Sequence, residues 1–116
     1  MNPRLCVEDI LKRGLDDWVQ MAEIVSVVRS MLGKAEEQTV QNHTMEIIRI
    51  VIQEGLMKAG DVTQTGFHEW QVSSGEAIEI IERRWAVLGR SPKLGEICWL
   101  SNTDRGSDEA SQECSY

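Results

Sequence analysis

Apolar residues recur every three or four positions in four segments of this chain, a spacing that places them on one face of a helix. The pattern predicts helices near residues 3–13, 21–32, 40–54 and 74–88. Asn2 and Pro3 begin the first segment and are typical of an N-cap and a first helical position. Ser73 and Glu76 begin the fourth segment and form the pattern of a capping box.

The third helical segment runs directly into a β-hairpin, and the rest of the predicted fold is built around this junction. Its apolar face consists of Ile47, Ile48, Val51 and Ile52. Thr39 or Asn42 is expected to cap its start. Gly55 stands where a left-handed residue often ends a helix, and Leu56 is expected to fold back over Val51.

Segments with the pattern of strands occupy residues 56–62 and 67–71, which face each other across the turn TQTG. A further strand is predicted at residues 96–100. Trp18 and Val19 indicate a short strand before the second helix. The strands of the hairpin and the last strand are expected to form one antiparallel sheet.

Helix, short strand, two helices and a hairpin follow each other in the order of a winged helix. The expected fold class is therefore α+β, with a winged-helix-like domain of about four helices and a small three-stranded antiparallel sheet. The fourth helix is then an insertion between wing strands. Residues 1–101 form this single domain, and residues 102–116 have few apolar side chains to bury and are expected to be a disordered tail.

Charge separates the two halves of the chain. The 116 residues carry a net charge of −7. Residues 1–60 have 9 acidic and 7 basic side chains, whereas residues 61–116 have 10 acidic and 5 basic side chains. An acidic surface attracts basic partners and repels phosphate. No apolar run has the length of a membrane span and the N-terminus does not resemble a signal peptide, so we expect no membrane contact and a cytoplasmic location.

The sequence contains no recognisable catalytic or metal-binding pattern. Cys6, Cys98 and Cys114 are too widely spaced for a disulfide framework or a metal site. His43 and His68 are explained more simply as an exposed helix residue and a member of a cross-strand pair than as ligands. Phosphate-binding glycine loops and hydrolase motifs are missing. We expect a protein that is not an enzyme, without catalytic residues, metal or cofactor.

A winged helix that binds DNA places its third helix in the major groove. The residues that would then face the bases are Gln41, Asn42, His43 and Glu46. Few cations lie near this helix in the sequence: Lys34, Arg49 and Lys58. A second group surrounds the end of the fourth helix: Arg83, Arg84, Arg90 and Lys93. We interpret the second group as complementing the helix dipole, and we expect no nucleic-acid binding. A small DNA-binding transcriptional regulator remains the alternative.

Three stretches of the sequence carry a family resemblance: EGLMKAGDV, GFHEW and EAIEIIERRWAVLGRSPKLGEICWL. They resemble a family of small acidic bacterial proteins that share a GLM-x-AGD turn, a GF-x-x-W strand, an I-x-x-x-W helix and a final CWL strand. The match covers roughly residues 15–105. That family is similar to the immunity proteins of contact-dependent growth inhibition systems, which bind and neutralise a toxin domain. The resemblance implies a cognate toxin protein as partner, with a basic nuclease domain, and assigns no binding residue.

The acidic excess after residue 60 places the predicted binding surface on the hairpin and the fourth helix. Its candidate residues are Asp61, Glu69, Trp70, Glu76, Glu79 and Glu82. Glu79 is expected to be neutralised by Arg83, one helical turn later. Trp70 is the candidate aromatic anchor of the interface. Trp85 and Trp99 are expected in the core.

Overall fold

The structure, a computed structural model, describes residues 2–112 and shows an α+β fold. Its helices in this range are α1 (Pro3–Arg13), α2 (Met21–Leu32), α3 (Glu37–Gln53), α4 (Ser74–Leu88) and α5 (Asp104–Gln112). Its strands in the same range are β1 (Val19–Gln20), β2 (Met57–Thr63), β3 (Gly66–Glu69) and β4 (Trp99–Asn102). The α+β class is confirmed, although the described residues form five helices and four strands where about four and three were predicted.

The predicted apolar faces of the helices form the core. Ile47, Ile48 and Val51 of α3 are 0% exposed, as are Ile10 of α1 and Ile24 of α2. Burying a large aliphatic side chain stabilises the folded state by about 1.5–3 kcal/mol. The core therefore lies between the helices and the inner face of the sheet, and α4 contributes Ile81 and Trp85 to it.

The predicted caps of α1 and α4 are confirmed. The Asn2 Oδ1 atom accepts a hydrogen bond from the Arg4 backbone N–H at 3.0 Å. The Ser73 Oγ atom accepts one from the Glu76 backbone N–H at 3.2 Å. Each bond satisfies a helix-terminal donor that has no partner inside its helix.

The predicted start of α3 is wrong, because the helix begins before both proposed capping residues, Thr39 and Asn42. Its N-cap is Glu36, whose side chain makes no capping hydrogen bond. Tertiary contacts hold this first turn instead. The carboxylate of Glu37 binds the Arg29 guanidinium of α2 at 2.7 Å and accepts a hydrogen bond from the Ser91 hydroxyl at 2.8 Å.

The junction of α3 and β2 has the predicted geometry. Gly55 has a φ of +72°. Its N–H donates to the Ile52 carbonyl at 3.1 Å, and the Leu56 N–H donates to the Val51 carbonyl at 2.9 Å. These are the two bonds of a Schellman motif. The motif turns the chain so that Leu56, which is 0% exposed, enters the core immediately after the helix.

The sheet is antiparallel throughout, with strand order β1-β4-β2-β3. The last strand begins at Trp99 and not at residue 96, because Ile97 has a φ of +72°, which no strand residue adopts. The Cys98 N–H donates to the Glu96 carbonyl at 3.0 Å across Ile97, which closes a γ-turn. The predicted short strand near Trp18 and Val19 is β1, and it extends the three-stranded sheet to four.

The segment predicted to be a disordered tail, residues 102–116, contains α5. Thr103 fixes its start: the Thr103 N–H donates to the Leu56 carbonyl at 3.0 Å, and its hydroxyl donates to the Gly55 carbonyl at 2.6 Å. Gly106 and Ala110 are buried one turn apart. Two small residues give almost no hydrophobic periodicity, which is why the sequence pattern did not reveal this helix. Residues 113–116, including Cys114, lie outside the described residues.

Candidate partner-binding surface

The six predicted binding residues do not form one uniformly free acidic surface. Asp61 belongs to β2, Glu69 and Trp70 lie at the end of β3, and the other three belong to α4. Glu76 and Glu79 are exposed, and among the described residues neither forms an ion pair. The other three carboxylates each have a cation within 4 Å. The pairs are Asp61 with Arg84 at 3.5 Å, Glu69 with Lys58 at 3.5 Å and Glu82 with Arg49 at 2.7 Å.

Trp70 is partly buried and is the centre of a small intramolecular cluster at the surface, so its ring is not a free anchor. Its indole Nε1–H donates to the Asp61 carboxylate at 3.0 Å. The Arg84 guanidinium lies over its ring, 4.8 Å from the centroid, and donates to the Ile97 carbonyl at 2.8 Å. A cation over the face of an indole is attracted by the ring quadrupole. The Trp70 cluster, composed of Asp61, Trp70 and Arg84, therefore ties the hairpin to α4 and to the loop before β4.

The predicted neutralisation of Glu79 by Arg83 is wrong. No ion pair joins these two side chains, and Arg83 forms none with any other described residue. Glu82 is the carboxylate that is neutralised, and its partner Arg49 belongs to α3. Sequence spacing favours pairs within one helix, whereas packing of two helices brought this pair together.

The cations around the end of α4 do not complement its dipole, because its last turn contains no basic residue. Arg84 belongs to the Trp70 cluster. Arg90 binds Glu96 through two hydrogen bonds of 2.7 and 2.8 Å. Within the described part of the chain, Arg83 and Lys93 are the members of this group whose side chains form no ion pair. Half of the predicted basic patch is therefore neutralised internally.

Glu96 is the most strongly perturbed carboxylate of the described chain. The Arg90 guanidinium and the Lys93 backbone N–H, which donates at 2.6 Å, lower the pKa of Glu96 to about 2. Because the folded-state pKa is depressed, the contact stabilises the fold above the unfolded pKa near 4.5 and loses its effect as the pH falls through about 2. The bidentate pair fixes the loop that carries Ile97.

We expect Glu96→Gln to lower the melting temperature at pH 7. The difference from the parent chain should shrink as the pH falls from about 4.5 towards about 2, because the parent carboxylate becomes protonated over that window. Thermal unfolding followed by circular dichroism between pH 7 and pH 2 measures this. Glu79→Gln, which removes an unpaired carboxylate, should show little difference at any pH. A Glu96→Gln effect of constant size down to pH 2 would contradict the ion-pair explanation.

The exposed start of α3 is not a basic surface. Asn42 is exposed and its side chain accepts a hydrogen bond from Gln38 at 2.9 Å. Gln41 lines a groove of about 690 Å³ between the first turns of α3 and the end of α4. His43 is half-buried, and its Nδ1 atom has no hydrogen-bond partner. Glu46 is exposed and forms no ion pair with a described residue.

Neither buried cysteine has the environment of a nucleophile. Cys6 is 0% exposed and Cys98 is 1% exposed. Burial raises the pKa of the Cys6 thiol to about 11 and that of the Cys98 thiol to about 12. Because the thiolate is the reactive form, both side chains are inert at neutral pH.

An aromatic contact that the sequence pattern does not predict lies on the outer face of the sheet. Trp18 stacks on Phe67 with ring centroids 6.3 Å apart and an interplanar angle of 26°. Trp99, which was expected in the core, is only partly buried and pairs with Gly60 on the outer face of β2. Gly60 was the available signal, because a glycine inside a strand often marks the close approach of another group.

Among the described residues, no group of three or more histidine, cysteine, aspartate or glutamate side chains is placed to hold a metal ion. In the same residues, no helix is long and apolar enough to cross a bilayer. No family model matches this sequence, and no curated protein and no solved structure matches it.

Proposed function

We propose that this chain is an immunity or inhibitor protein that binds and neutralises a bacterial toxin domain through an acidic surface. The observation that carries the proposal is the distribution of unpaired charge. Most cations of the described chain are neutralised in ion pairs: Arg4, Arg13, Arg29, Arg49, Lys58, Arg84 and Arg90. Exposed carboxylates without an ion pair among the described residues are Asp16, Asp17, Glu36, Glu46, Glu76, Glu79, Asp104 and Asp108. The surface that remains for a partner is therefore acidic.

An acidic surface of this kind suits a basic protein partner. A toxin that cleaves nucleic acid needs cations to hold phosphates, so its active site is a complementary target. Opposite potentials accelerate the encounter of two proteins and suppress contacts with wrong partners. Occlusion of the toxin site requires no catalytic group or cofactor in the inhibitor. The exposed, unpaired Glu76 and Glu79 on α4 are the predicted binding residues best placed for this role.

A winged-helix DNA-binding regulator is the second candidate, and the order of elements from α1 to β3 favours it. In that scaffold α4 is an insertion, and β4 takes the place between β1 and β2. Two features count against DNA as ligand. Unpaired Glu36 precedes α3 and unpaired Glu46 is exposed in its middle, and α4 packs alongside α3 through the Arg49–Glu82 pair. Carboxylates beside a recognition helix repel the phosphate backbone.

We expect no measurable binding of the chain to generic duplex DNA at physiological salt. A fluorescence-anisotropy titration with a labelled 30-base-pair duplex measures this, and a known basic winged-helix protein serves as the positive control. Binding that weakens steeply with added salt, and that Arg83→Glu with Lys93→Glu abolishes, would favour the regulator. Both of these side chains are free of ion pairs in the described chain, so their reversal should leave the fold intact.

The direct genetic test is coexpression with the product of the neighbouring reading frame. If that product carries a toxin domain, its expression alone should arrest growth, and coexpression of this chain should restore growth. Growth that stays arrested, with this chain present in soluble and folded form, would contradict the immunity function.

A further inference from the structure

The sheet has one buried face and one face that is open to solvent. Val19, Leu100 and Ala59 are paired across three strands, and all three are buried. The neighbouring row consists of Gln20, Trp99, Gly60 and Glu69. In this row Trp99 is partly exposed and Glu69 is exposed. Side chains alternate between the faces of a strand, so this second row belongs to the outer face.

Phe67 lies on the same outer face, two positions before Glu69. A Cβ atom on Gly60 would lie 2.8 Å from the Phe67 Cζ atom, so the Phe67 ring lies over Gly60. Trp18 stacks on Phe67 and is itself 37% exposed. A large aromatic ring is thus held in place by a second ring while part of its surface stays in contact with water.

Two carboxylates immediately precede this ring. Asp16 and Asp17 are exposed, and neither forms an ion pair with a described residue. The Asp17 Oδ1 atom accepts a hydrogen bond from the Trp18 backbone N–H at 2.7 Å, which holds this carboxylate against the Trp18 backbone. We call Asp16, Asp17, Trp18 and Phe67 the Trp18 corner.

The Trp70 cluster has a similar composition to the Trp18 corner, except that it also contains a cation. There, an aspartate and an indole are completed by the guanidinium of Arg84, which lies over the ring at 4.8 Å. At the Trp18 corner the indole and the carboxylates are present, whereas no cation of the described residues lies over the ring. A guanidinium from outside the chain would supply the missing member.

We propose that the Trp18 corner is a docking point for an arginine side chain of the basic protein partner. The inference rests on the proposed function in taking the partner to be a basic protein, and it adds a site that none of the predicted binding residues includes. Arginine fits better than lysine, because its planar guanidinium stacks on an aromatic ring while its N–H groups bind carboxylates. A phosphate-bearing ligand is disfavoured, because Asp16 and Asp17 repel it.

The test uses a capped heptapeptide of alternating glycine and arginine as probe, with the full ¹⁵N-labelled chain. The four tryptophan indole N–H signals are followed by NMR and assigned through tryptophan-to-phenylalanine variants. We expect the Trp18 signal to shift with peptide concentration, whereas those of Trp70 and Trp85 stay in place. The same peptide with citrulline in place of arginine, which has a similar shape without charge, should produce no saturable shift.

Two matched double variants distinguish binding at the Trp18 corner from attraction of the peptide by negative charge anywhere on the protein. Asp16→Asn with Asp17→Asn keeps the oxygen that accepts from the Trp18 N–H. This double variant should raise the half-saturating peptide concentration at least about fourfold, since each of the two exposed charge contacts adds a factor of about two to five. Asp104→Asn with Asp108→Asn removes equal charge from α5, outside the predicted binding residues, and should leave that concentration unchanged. Equal effects of both pairs, or equal binding of the citrulline peptide, would overturn the proposal.

Other occupants give distinct results that also overturn it. A Trp18 shift that depends on protein concentration without peptide indicates a second copy of the chain, and a response to oligo-thymidine in place of the peptide indicates a nucleic acid. The peptide titration is independent of any toxin. If the coexpression test fails while the titration succeeds, the arginine site stands and the immunity function is wrong. If coexpression restores growth while the titration fails, the immunity function stands and the arginine site is wrong.

Discussion

Replacing Leu56 by alanine is expected to lower the free energy of unfolding by about 2–5 kcal/mol, the usual range for truncating a fully buried leucine to alanine. Leu56 is 0% exposed and is the first core residue after α3. Its backbone joins three elements, because its N–H donates to the Val51 carbonyl and its own carbonyl accepts from the Thr103 N–H. A domain of this size is stable by only about 5–15 kcal/mol, so the loss should be large.

Urea unfolding followed by tryptophan fluorescence measures the change. Leu94→Ala is the matched control, since Leu94 is 80% exposed and its truncation should change the free energy by less than about 0.5 kcal/mol. If Leu56→Ala is no more costly than Leu94→Ala, the junction of α3 and β2 is not the organising contact of the core.

Gly106→Ala is expected to destabilise the protein by about 2–3 kcal/mol, although alanine is the better helix former by about 1 kcal/mol. Gly106 is buried in α5, and a Cβ atom added there would collide with the Leu56 carbonyl oxygen. The Leu11 Cδ2 atom, 3.3 Å from the same position, leaves no room on the other side. The helix can accept the methyl group only by moving away from α1 and from the α3–β2 junction.

Gly75→Ala provides the control, because Gly75 lies in the first turn of α4 and a Cβ atom there meets nothing within 4 Å. That variant should be neutral or slightly more stable than the parent chain. Melting temperatures of the two variants measure the difference. A stabilising Gly106→Ala would show that α5 does not dock on the core as described.

The sequence predicts the elements and their ends correctly where the local pattern and the tertiary packing favour the same structure. The apolar face from Ile47 to Ile52, the glycine at position 55 and the capping serine at position 73 each have a local cause, and each is confirmed. The correct helix bounds of α1, α2 and α4 follow from the same agreement.

Elements that depend on distant contacts could not be predicted. The first turn of α3 is held by Arg29 and Ser91, and α5 is held by hydrogen bonds from the N–H and the hydroxyl of Thr103 to the α3–β2 junction. Neither signal is visible in the periodicity of the segment itself. The γ-turn at Ile97 is a further case, since a β-branched residue with positive φ is unfavourable locally and persists only because its surroundings impose it.

The negative charge of the candidate surface could be predicted from the sequence, whereas the ion pairing of its individual residues could not. The acidic excess after residue 60 is a property of composition, whereas the pairing of Asp61, Glu69 and Glu82 with cations is a property of the fold. A large aromatic residue near carboxylates, such as Trp70, predicts an interface anchor. Its partner Arg84 is 14 positions away on another element, so the contact of this guanidinium with the ring could not be predicted from local spacing.

The proposed function depends most directly on one quantity: the rate at which the purified chain associates with the toxin domain of its neighbouring reading frame. Stopped-flow fluorescence at several salt concentrations measures it. We predict a rate that falls steeply with added salt, and a decrease of about tenfold at low salt for Glu76→Lys with Glu79→Lys. Asp104→Lys with Asp108→Lys makes the same change in net charge on α5, where Asp104, like Glu76 on α4, lies in the first helical turn. This control variant should slow association less than the α4 variant does. An association rate that neither salt nor the α4 reversal changes would contradict the proposal that this protein recognises its partner through an acidic surface.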